Sequence, residues 1–419
     1  MTLPARSSQP APVLALKSDI ALTPGQVALH TAVGDFIERE LVPRVADMES
    51  KGTHADTGLP RLMGELGWLG VFVDREYGGL DLGHVSRALV CAALGYANGA
   101  AAAIYQASLI PTFAIRHLGR DEQRREWLER ICAGLWATIA VTEPDGGSDI
   151  LAIETTARRQ ADGSYRLDGR KCFTGNSGIA GVHLIVARTS APEDRSPHAL
   201  SAFLVDAGQP GLTVTQPRLV GLHGFTLGEL ELRDVRVPAD RLLGHEGDGF
   251  AAATGASVVC GRLNLAAVML GLHHRLRDDT VAFLTARARK GARLADHPVV
   301  SHHLADMESR LMSAESSVLD AARLLDHAKA CDTQLFHTKL HSSQMASANT
   351  QLAEALFGGY AILADSPLAR TARDIRHTHA PAGPDDIQRH RIGESVRGVH
   401  RGSWSGRFAR LTPHCAPAA

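Results

Sequence analysis

The pattern of apolar positions changes twice along the chain. From Pro24 to about residue 137, apolar residues recur at helical spacing, beginning with Leu29 and Phe36 behind a threonine cap. Over 138–245 the pattern becomes short alternating or β-branched runs separated by Gly, Pro, Asp and Asn, which predicts strands. After Gly249 long helical segments return. The sequence therefore predicts an α+β protein in which helices flank a middle β-domain.

These changes suggest boundaries for five parts of the chain. The predicted strands cover 164–167, 182–188, 202–205, 212–214 and 229–237, and four predicted helices of a bundle cover 250–288, 296–330, 333–357 and 385–398. The parts are a disordered tail (1–23), an N-terminal α-helical domain (24–137), a middle β-domain (138–245), a C-terminal helix-bundle domain (246–398) and a loose tail (399–419).

Composition narrows the class of protein. The 419 residues include 44 Lys+Arg and 45 Asp+Glu, and this balance argues against a nucleic-acid binder, which normally shows a basic excess. No charge lies between Arg87 and Arg116, but Asn98, Gln106 and Pro111 interrupt that stretch, so we expect buried core helices and no membrane span. The six cysteines form no paired motif, which is typical of reduced thiols in a cytoplasmic enzyme.

Residues 138–149, TIAVTEPDGGSD, carry the first candidate chemistry. A strand-like start leads to a turn at Gly146 and Gly147, where backbone amides can approach a planar ring or a thioester carbonyl closely. An ordinary strand-to-loop turn would show the same composition. The histidine pairs 273–274 and 302–303 do not predict a metal site, because neighbours on a helix point about 100° apart.

The segment TEPDGGSD resembles the signature of the acyl-CoA dehydrogenase superfamily, at the place where helices give way to strands. Three more segments follow in the family's order: 169–178 (GRKCFTGNSG), 231–250 (ELRDVRVPADRLLGHEGDGF) and 357–374 (FGGYAILADSPLARTARD). The resemblance covers about 24–395. It implies FAD as cofactor, an acyl-CoA or acyl-carrier thioester as substrate, and a dimer or tetramer of this fold: an all-α domain, a β-barrel-like domain and a four-helix bundle.

The resemblance also implies roles for individual residues. Arg287 would reach the FAD pyrophosphate of a neighbouring subunit, although a surface salt bridge is the alternative because the motif around it is degraded. Ser148 and Arg262 would contact the substrate. The remaining flavin-binding positions implied are Val141, Thr142, Gly147, Ser148, Phe173, Gly358 and Gly359.

The catalytic position departs from the family. A glutamate normally removes the α-proton of the thioester, and matching the segment after Arg373 and Asp374 puts Ala382 at that place. Relatives that carry the base on the first bundle helix have it just before an arginine, where this chain has Gly261. Neither residue can accept a proton. The nearby titratable residues, each also expected as a surface or capping residue, are His377, His379, Asp385 and Asp386.

A second departure concerns the flavin strand. Gly175 stands where the family usually has a hydroxyl near the hydride-accepting nitrogen, and Thr174 lies one residue early. Side chains alternate along a strand, so Thr174 would face away from the flavin unless a one-residue bulge restores it. A missing hydroxyl would open space for O2 beside reduced flavin.

These departures leave three interpretations of the function. The sequence favours flavin-dependent oxygenation of an acyl thioester, because two base positions and the hydroxyl are lost together. The alternative is an α,β-dehydrogenase with a relocated base. The third is an inactive FAD- or CoA-binding scaffold, which would explain the missing glutamates but not the motifs that remain.

Overall fold

The computed structural model describes residues 21–52, 58–399, 401–410 and 412–415. Positions 1–20 of the predicted N-terminal tail lie outside these residues. The α+β fold class is confirmed, with helices before and after a middle sheet.

Helix α1 (Pro24–Phe36) begins where the sequence predicts it. The Thr23 hydroxyl accepts a hydrogen bond from the Gln26 amide at 3.3 Å, and the Thr23 amide donates to the Gln26 side chain at 3.0 Å. This reciprocal cap satisfies two amides that the first turn leaves without partners. The other α-helices before the sheet are α2 (Val45–Lys51), α3 (Gly58–Glu65), α4 (Gly83–Ala97), α5 (Gly99–Leu118) and α6 (Asp121–Cys132).

The uncharged stretch forms α4 and α5, and nearly every residue of both helices is buried. Asn98 separates them and caps α5 by accepting a hydrogen bond from the Ala101 amide at 2.9 Å. The prediction of buried core helices is therefore confirmed for this stretch.

Seven strands form the middle sheet, in the order β1-β4-β2-β3-β7-β6, with β5 paired to β4. Strand β4 is buried along its whole length. Because side chains alternate along a strand, Ile185 and Ala187 join a small core of the sheet, while Val182, Leu184 and Val186 join the main core shared with the helices. The strands are β1 (Ala137–Ala140), β2 (Thr156–Arg159), β3 (Tyr165–Gly175), β4 (Val182–Arg188), β5 (Leu200–Asp206), β6 (Leu212–Thr215) and β7 (Leu227–Val237).

Two π-helical turns, Ala251–Gly255 and Ser257–Gly261, lead into the first long helix after the sheet. The combined helix, Ala251–Thr285, is long and apolar enough to cross a membrane, but 94% of its apolar window is buried inside the protein, as in a core helix. The α-helices of this part are α7 (Arg262–Thr285), α8 (Pro298–Asp326), α9 (Asp332–Phe357), α10 (Pro367–His377), α11 (Asp385–Val396) and α12 (Trp404–Arg407), with a short hairpin, β8 (Ala288–Arg289) and β9 (Ala292–Arg293), after α7.

The prediction that residues 399–419 form a loose tail is wrong for the middle part of this segment. The Asp332 carboxylate accepts hydrogen bonds from the amides of Trp404 and Ser405, both at 2.8 Å, and Ser405 is buried. Further along, the Thr412 hydroxyl donates to Asp326 at 2.8 Å. These buried polar contacts hold the segment against the start of α9 and the end of α8.

Candidate functional site

A cavity of about 1600 Å³ lies between the sheet, α5, α7 and the segments on either side of α11. Its wall includes many of the residues singled out from the sequence, from four separate parts of the chain. Those in the wall are Val141, Thr142, Gly147, Ser148, Phe173, Gly175, Arg262, His377 and Ala382. Those that do not line it are Thr174, Gly261, His379, Asp385, Asp386, Arg287, Gly358 and Gly359.

A buried ion pair positions the loop after β1. The Lys171 ammonium lies 2.7 Å from the Glu143 carboxylate and donates to the Val141 carbonyl at 3.0 Å. Glu143 also accepts from the amides of Glu154 and Thr155, at 2.7 and 2.9 Å. Burial, only partly offset by Glu143, lowers the pKa of Lys171 to about 8. Burial opposes the charge on Glu143, but the adjacent ammonium outweighs it and holds the pKa of that carboxyl below its usual value.

The same loop contributes backbone amide groups to residues of the cavity wall. The amides of Thr142, Gly147 and Ser148 donate no hydrogen bond to another backbone group in the part of the chain that the structure describes. A side chain built at Gly147 would meet only Thr142, at 3.8 Å, so a flat ring can approach this backbone closely. These residues therefore fit the edge of a flavin, which needs donors for its carbonyl and ring-nitrogen acceptors.

Strand β3 carries a bulge at the flavin motif. Its pairing with β7 shifts between Lys171 and Thr174, and Phe173 has a φ of 52° with 70% of its surface exposed. Beyond the bulge, Gly175 lines the cavity, while the Thr174 hydroxyl is buried elsewhere without a hydrogen-bond partner among the described residues. The bulge thus does not return Thr174 to the cavity.

Gly175 lines the cavity, but the position that a side chain on it would take is already filled. A Cβ built at Gly175 would lie 2.8 Å from the ring of Phe225 and 3.3 Å from the Ala107 methyl group. Phe225 comes from the loop before β7 and is 5% exposed. Glycine at this position therefore makes room for a phenyl ring. Neither Phe225 nor Ala107 carries a motif, and nothing in the sequence marks them as cavity residues.

The two positions that the resemblance assigns to the catalytic glutamate are neighbours in space. A Cβ built at Gly261 would lie 3.2 Å from the Ala382 Cβ and 3.5 Å from Ile110. Gly261 ends the second π-helical turn and Ala382 lies in the loop before α11, with a φ of 53°. The third neighbour of the Cβ built at Gly261 is the Ser257 hydroxyl, at 3.8 Å, so none of the three nearest groups is a carboxylate.

His377 lines the cavity, but its ring is engaged. Its Nε2 atom accepts a hydrogen bond from the Gly221 amide at 3.1 Å, and burial lowers its pKa, so the ring is neutral with the proton on Nδ1. Asp374, one turn earlier in α10, accepts from the Leu222 amide at 2.7 Å, and burial raises its pKa to about 6. Both side chains hold the loop before Phe225 against α10.

The other three candidate bases serve structural contacts. Asp385 pairs with Lys339 at 3.0 Å and accepts from Ser343 at 2.9 Å, while His379 lies 2.8 Å from the Ser347 hydroxyl. Burial alone would raise the pKa of Asp385, but His379 and Lys339 lower it to about 2. The Asp386 side chain is 91% exposed and pairs with a neighbouring arginine. All of these contacts are structural ones.

Arg262, directly after Gly261, is the cavity's deeply buried arginine, with 6% of its surface exposed. Its Nε donates to the Gln388 side chain at 2.8 Å, and Gln388 in turn donates to the carbonyls of Ala382 and Gly383 at 3.1 and 2.7 Å. The guanidinium also lies 4.9 Å from the ring centre of Phe336. Arg262 thus fixes the loop that carries Ala382.

The predicted FAD-clamp residues lie together, outside the cavity wall. The Arg287 guanidinium lies over the rings of Phe283 and Tyr360, at 3.9 and 4.3 Å from their centres, and Tyr360 directly follows Gly358 and Gly359.

Residues 401–404 and Arg407 also line the cavity, and the sequence analysis did not predict this. Hydroxyl and charged residues in that segment are the signal that could have indicated it. No group of three or more metal-ligating side chains occurs among the described residues.

Family models match nearly the whole described chain: "Acyl-CoA dehydrogenase, N-terminal domain" over 23–135, the middle domain over 138–235 and the C-terminal domain over 247–397. The chain is 32% identical to an acyl-CoA dehydrogenase of Bacillus subtilis, covering 90% of this chain and 99% of the relative. It is 33% identical to the L-prolyl-[peptidyl-carrier protein] dehydrogenase of Pseudomonas fluorescens, covering 80% and 89%.

Among solved structures, butyryl-CoA dehydrogenase from Megasphaera elsdenii superposes with a TM-score of 0.86 at 29% identity, covering 91% of this chain and all of that one. The FAD complex of PigA superposes with a TM-score of 0.83 at 26% identity, again over 91% and 100%. The chain belongs to the acyl-CoA dehydrogenase superfamily, and this membership supports FAD as its cofactor.

Proposed function

We propose that the protein is an FAD-dependent oxidoreductase that dehydrogenates an acyl thioester of coenzyme A or of a carrier protein, with no carboxylate at either usual base position. The observation that supports this proposal is that Ala382 lines the same cavity as Thr142, Ser148 and Gly175, with Gly261 next to it. The flavin, when bound, supplies a two-electron acceptor for a hydride from the substrate. The protein's own residues bind, orient and shield the reacting groups.

Two observations favour dehydrogenation over the oxygenation that the sequence favours. Phe225 occupies the position that a hydroxyl-bearing side chain at residue 175 would take, so the loss of that hydroxyl does not by itself open space for O2. Three of the four similar proteins named above are called dehydrogenases. An inactive scaffold is the least supported interpretation, because Thr142, Gly147 and Ser148 still line the cavity and their amides donate no hydrogen bond to another backbone group of the described residues.

The proton acceptor is proposed among the three carboxylates of the cavity wall. Glu394 is paired with Arg391 at 2.9 Å and with Arg401 at 2.7 Å, and Asp332 is occupied by the C-terminal segment. Asp149 has no ion pair or side-chain hydrogen bond to a described residue and is exposed. Asp149 is therefore the acidic side chain of the wall that is free to take a proton.

The direct experiment mixes holoenzyme with a panel of acyl-CoA thioesters under anaerobic conditions and follows bleaching of the flavin. A product that is two hydrogens lighter, with no label after admission of ¹⁸O2, supports dehydrogenation; a labelled product would support oxygenation. In the same assay Asp149→Asn should slow flavin reduction by about 10²-fold or more without weakening thioester binding. An unchanged rate would rule out Asp149 as the proton acceptor.

A gain-of-function variant tests the geometry of the missing base. Ala382→Glu places a carboxylate where the Cβ positions of residues 382 and 261 meet, and we expect flavin reduction by the same thioesters to accelerate by about 10²–10⁴-fold. Ala380→Glu, which adds the same charge to the same wall two residues earlier, is the matched control and should not accelerate it. Equal effects of both variants would contradict the placement of Ala382.

Self-association is a separate part of the proposal. Arg287, Gly358 and Gly359 lie outside the cavity, and nearby Ile362 is 87% exposed. The family resemblance places Arg287 at a neighbouring subunit's FAD, and Gly358 and Gly359 beside the adenosine part of the cofactor. Light scattering of the holoenzyme should give at least twice the 44.7 kDa chain mass, and Arg287→Glu should reduce both this mass and FAD retention.

A further inference from the structure

The chain becomes strongly basic towards its end. Residues 387–415 include six arginines and one acidic residue, Glu394, although the whole chain has a net charge of −1. Glu394 is already paired with two of these arginines, at 2.7 and 2.9 Å. Arg397 and Arg407 are exposed and form no ion pair with a described residue. This part of the surface therefore carries positive charge that the described residues do not balance.

The basic segment borders the opening of the cavity. Val399, Arg401 and Arg407 line the cavity wall and are also exposed to solvent, so they lie where the cavity meets the surface. The hydrogen bonds to Asp332 described above hold the residues between them in place. The match to the family's C-terminal domain ends at residue 397, so this part of the opening lies outside the match.

One face of α11 extends this surface beyond the cavity. Arg389, Gly393 and Val396 lie four and three residues apart, so they share a face of the helix. Val396 is 83% exposed, and the Arg389 side chain, although paired with Asp386, is 51% exposed. A side chain built at Gly393 would meet nothing within 4 Å, so this face is open in the part of the chain that the structure describes.

We propose that this surface docks an acyl carrier protein of negative charge, whose phosphopantetheine arm delivers the thioester into the cavity. We call it the rim surface, and it consists of Arg389, Val396, Arg397, Val399, Arg401 and Arg407. The inference rests on the proposed function, because it chooses the carrier protein over coenzyme A as the bearer of the thioester. A folded carrier is too large to enter the cavity, so it must bind around the opening while its arm reaches inside.

The extent and composition of the rim surface favour a protein over coenzyme A. Arg389 and Val396 lie about 10 Å apart along α11, and both are outside the cavity wall. The phosphates of coenzyme A could pair with Arg401 or Arg407 at the opening but would leave Val396 exposed. Exposed apolar residues among arginines are typical of protein interfaces, and an acidic partner complements their charge.

Two other occupants fit the charge less well. Residues 1–20 contain Arg6 and Lys17 against one acidic residue, Asp19, so this segment does not complement a group of arginines. A second copy of the chain, related by a two-fold axis, would place the same arginines against each other. A separate acidic protein is therefore the occupant that the charges favour.

The test measures docking alone, with no acyl group attached. Holoenzyme is titrated into the fluorescently labelled acidic carrier protein of bacterial fatty-acid synthesis, bearing unacylated phosphopantetheine, and anisotropy gives the dissociation constant. Displacement of the carrier by coenzyme A gives the second constant. We expect the carrier to bind at least about tenfold more tightly than coenzyme A. Raising the salt from about 0.05 to about 0.3 M should weaken carrier binding by at least about tenfold, because it screens exposed charges.

Arg397→Glu and Arg389→Glu reverse rim charges that lie outside the cavity wall. Each should reduce the preference for the carrier over coenzyme A by about fivefold or more, and the double variant should abolish it. Arg159→Glu is the matched control, since Arg159 is exposed in β2, lies outside the cavity wall and forms no ion pair with a described residue. It should keep the full preference.

Equal binding of the carrier and of coenzyme A by the wild-type protein would overturn the inference, and bleaching of the flavin by acyl-CoA thioesters would then still support the proposed function. Carrier binding with no bleaching by any thioester would instead contradict the proposed function while supporting the docking. A smaller holoenzyme mass in Arg397→Glu, measured by light scattering, would assign the rim surface to a contact between copies and overturn the inference.

Discussion

Gly175→Thr restores the hydroxyl that the family usually has on the flavin strand, and the structure predicts that it destabilises this protein. The Cβ alone would lie 2.8 Å from the Phe225 ring, closer than real side-chain contacts come, and 3.3 Å from Ala107. Ala107 belongs to α5 and cannot move without displacing that buried helix. The strain must therefore be relieved by Phe225, whose ring is buried.

Overpacking of this kind costs about 1–3 kcal/mol in well-packed interiors. Phe225→Leu alone should also destabilise, because it leaves a void, but it removes the ring atoms that clash with the introduced threonine. The double variant should consequently be more stable than the sum of the two single changes predicts, with a coupling of about 0.5–3 kcal/mol. Urea unfolding of holoenzyme, followed by tryptophan fluorescence and flavin release, measures all four proteins of the cycle.

Gly146→Thr is the matched control, since a side chain built at Gly146 meets nothing within 4 Å. It should change the unfolding midpoint little. Two results would refute the reasoning: a Gly175→Thr protein as stable as wild type, or additive effects in the cycle. The same set tests oxygen access, because Phe225→Leu opens the space that the wild type lacks and should speed reoxidation of reduced flavin by air.

Three further predictions follow from buried charges. Burial raises the pKa of Asp374 to about 6 from 3.8 for the free group, so its stabilising contribution is present below pH 3.8 and is lost as pH rises through 6. Asp374→Asn can still accept the hydrogen bond from the Leu222 amide. In urea unfolding this variant should be about 3 kcal/mol more stable than wild type at pH 8 and equally stable near pH 3.5. Glu143→Gln leaves the Lys171 ammonium buried without its partner and should cost about 3–5 kcal/mol in the same assay, whereas replacing both residues by leucine and methionine should cost less. Asp332→Ala should release the C-terminal segment, seen as faster tryptic cleavage after residues 401 and 407 with the rest of the chain intact; an unchanged cleavage rate would contradict the anchoring contacts.

The order of elements could be read from the sequence because each signal is local. The cap at Thr23 and Gln26 lies within one helical turn, and the alternation in β4 lies within one strand. The two base positions were found differently, by resemblance to ordered motifs. Residues 261 and 382 are 121 positions apart, and nothing in their own composition indicates that they meet.

The errors arise where long-range packing decides the outcome. The glycine at 175 suggested free space because the sequence does not show which residues pack against it. Phe225, which does, comes from a loop 50 residues later. The segment around Ser405 was expected to be a loose tail. Trp404 and Phe408 pack against the core, and Ser405 is held by a polar contact to Asp332, a residue 73 positions earlier. Pairing over that distance leaves no periodic pattern in the sequence.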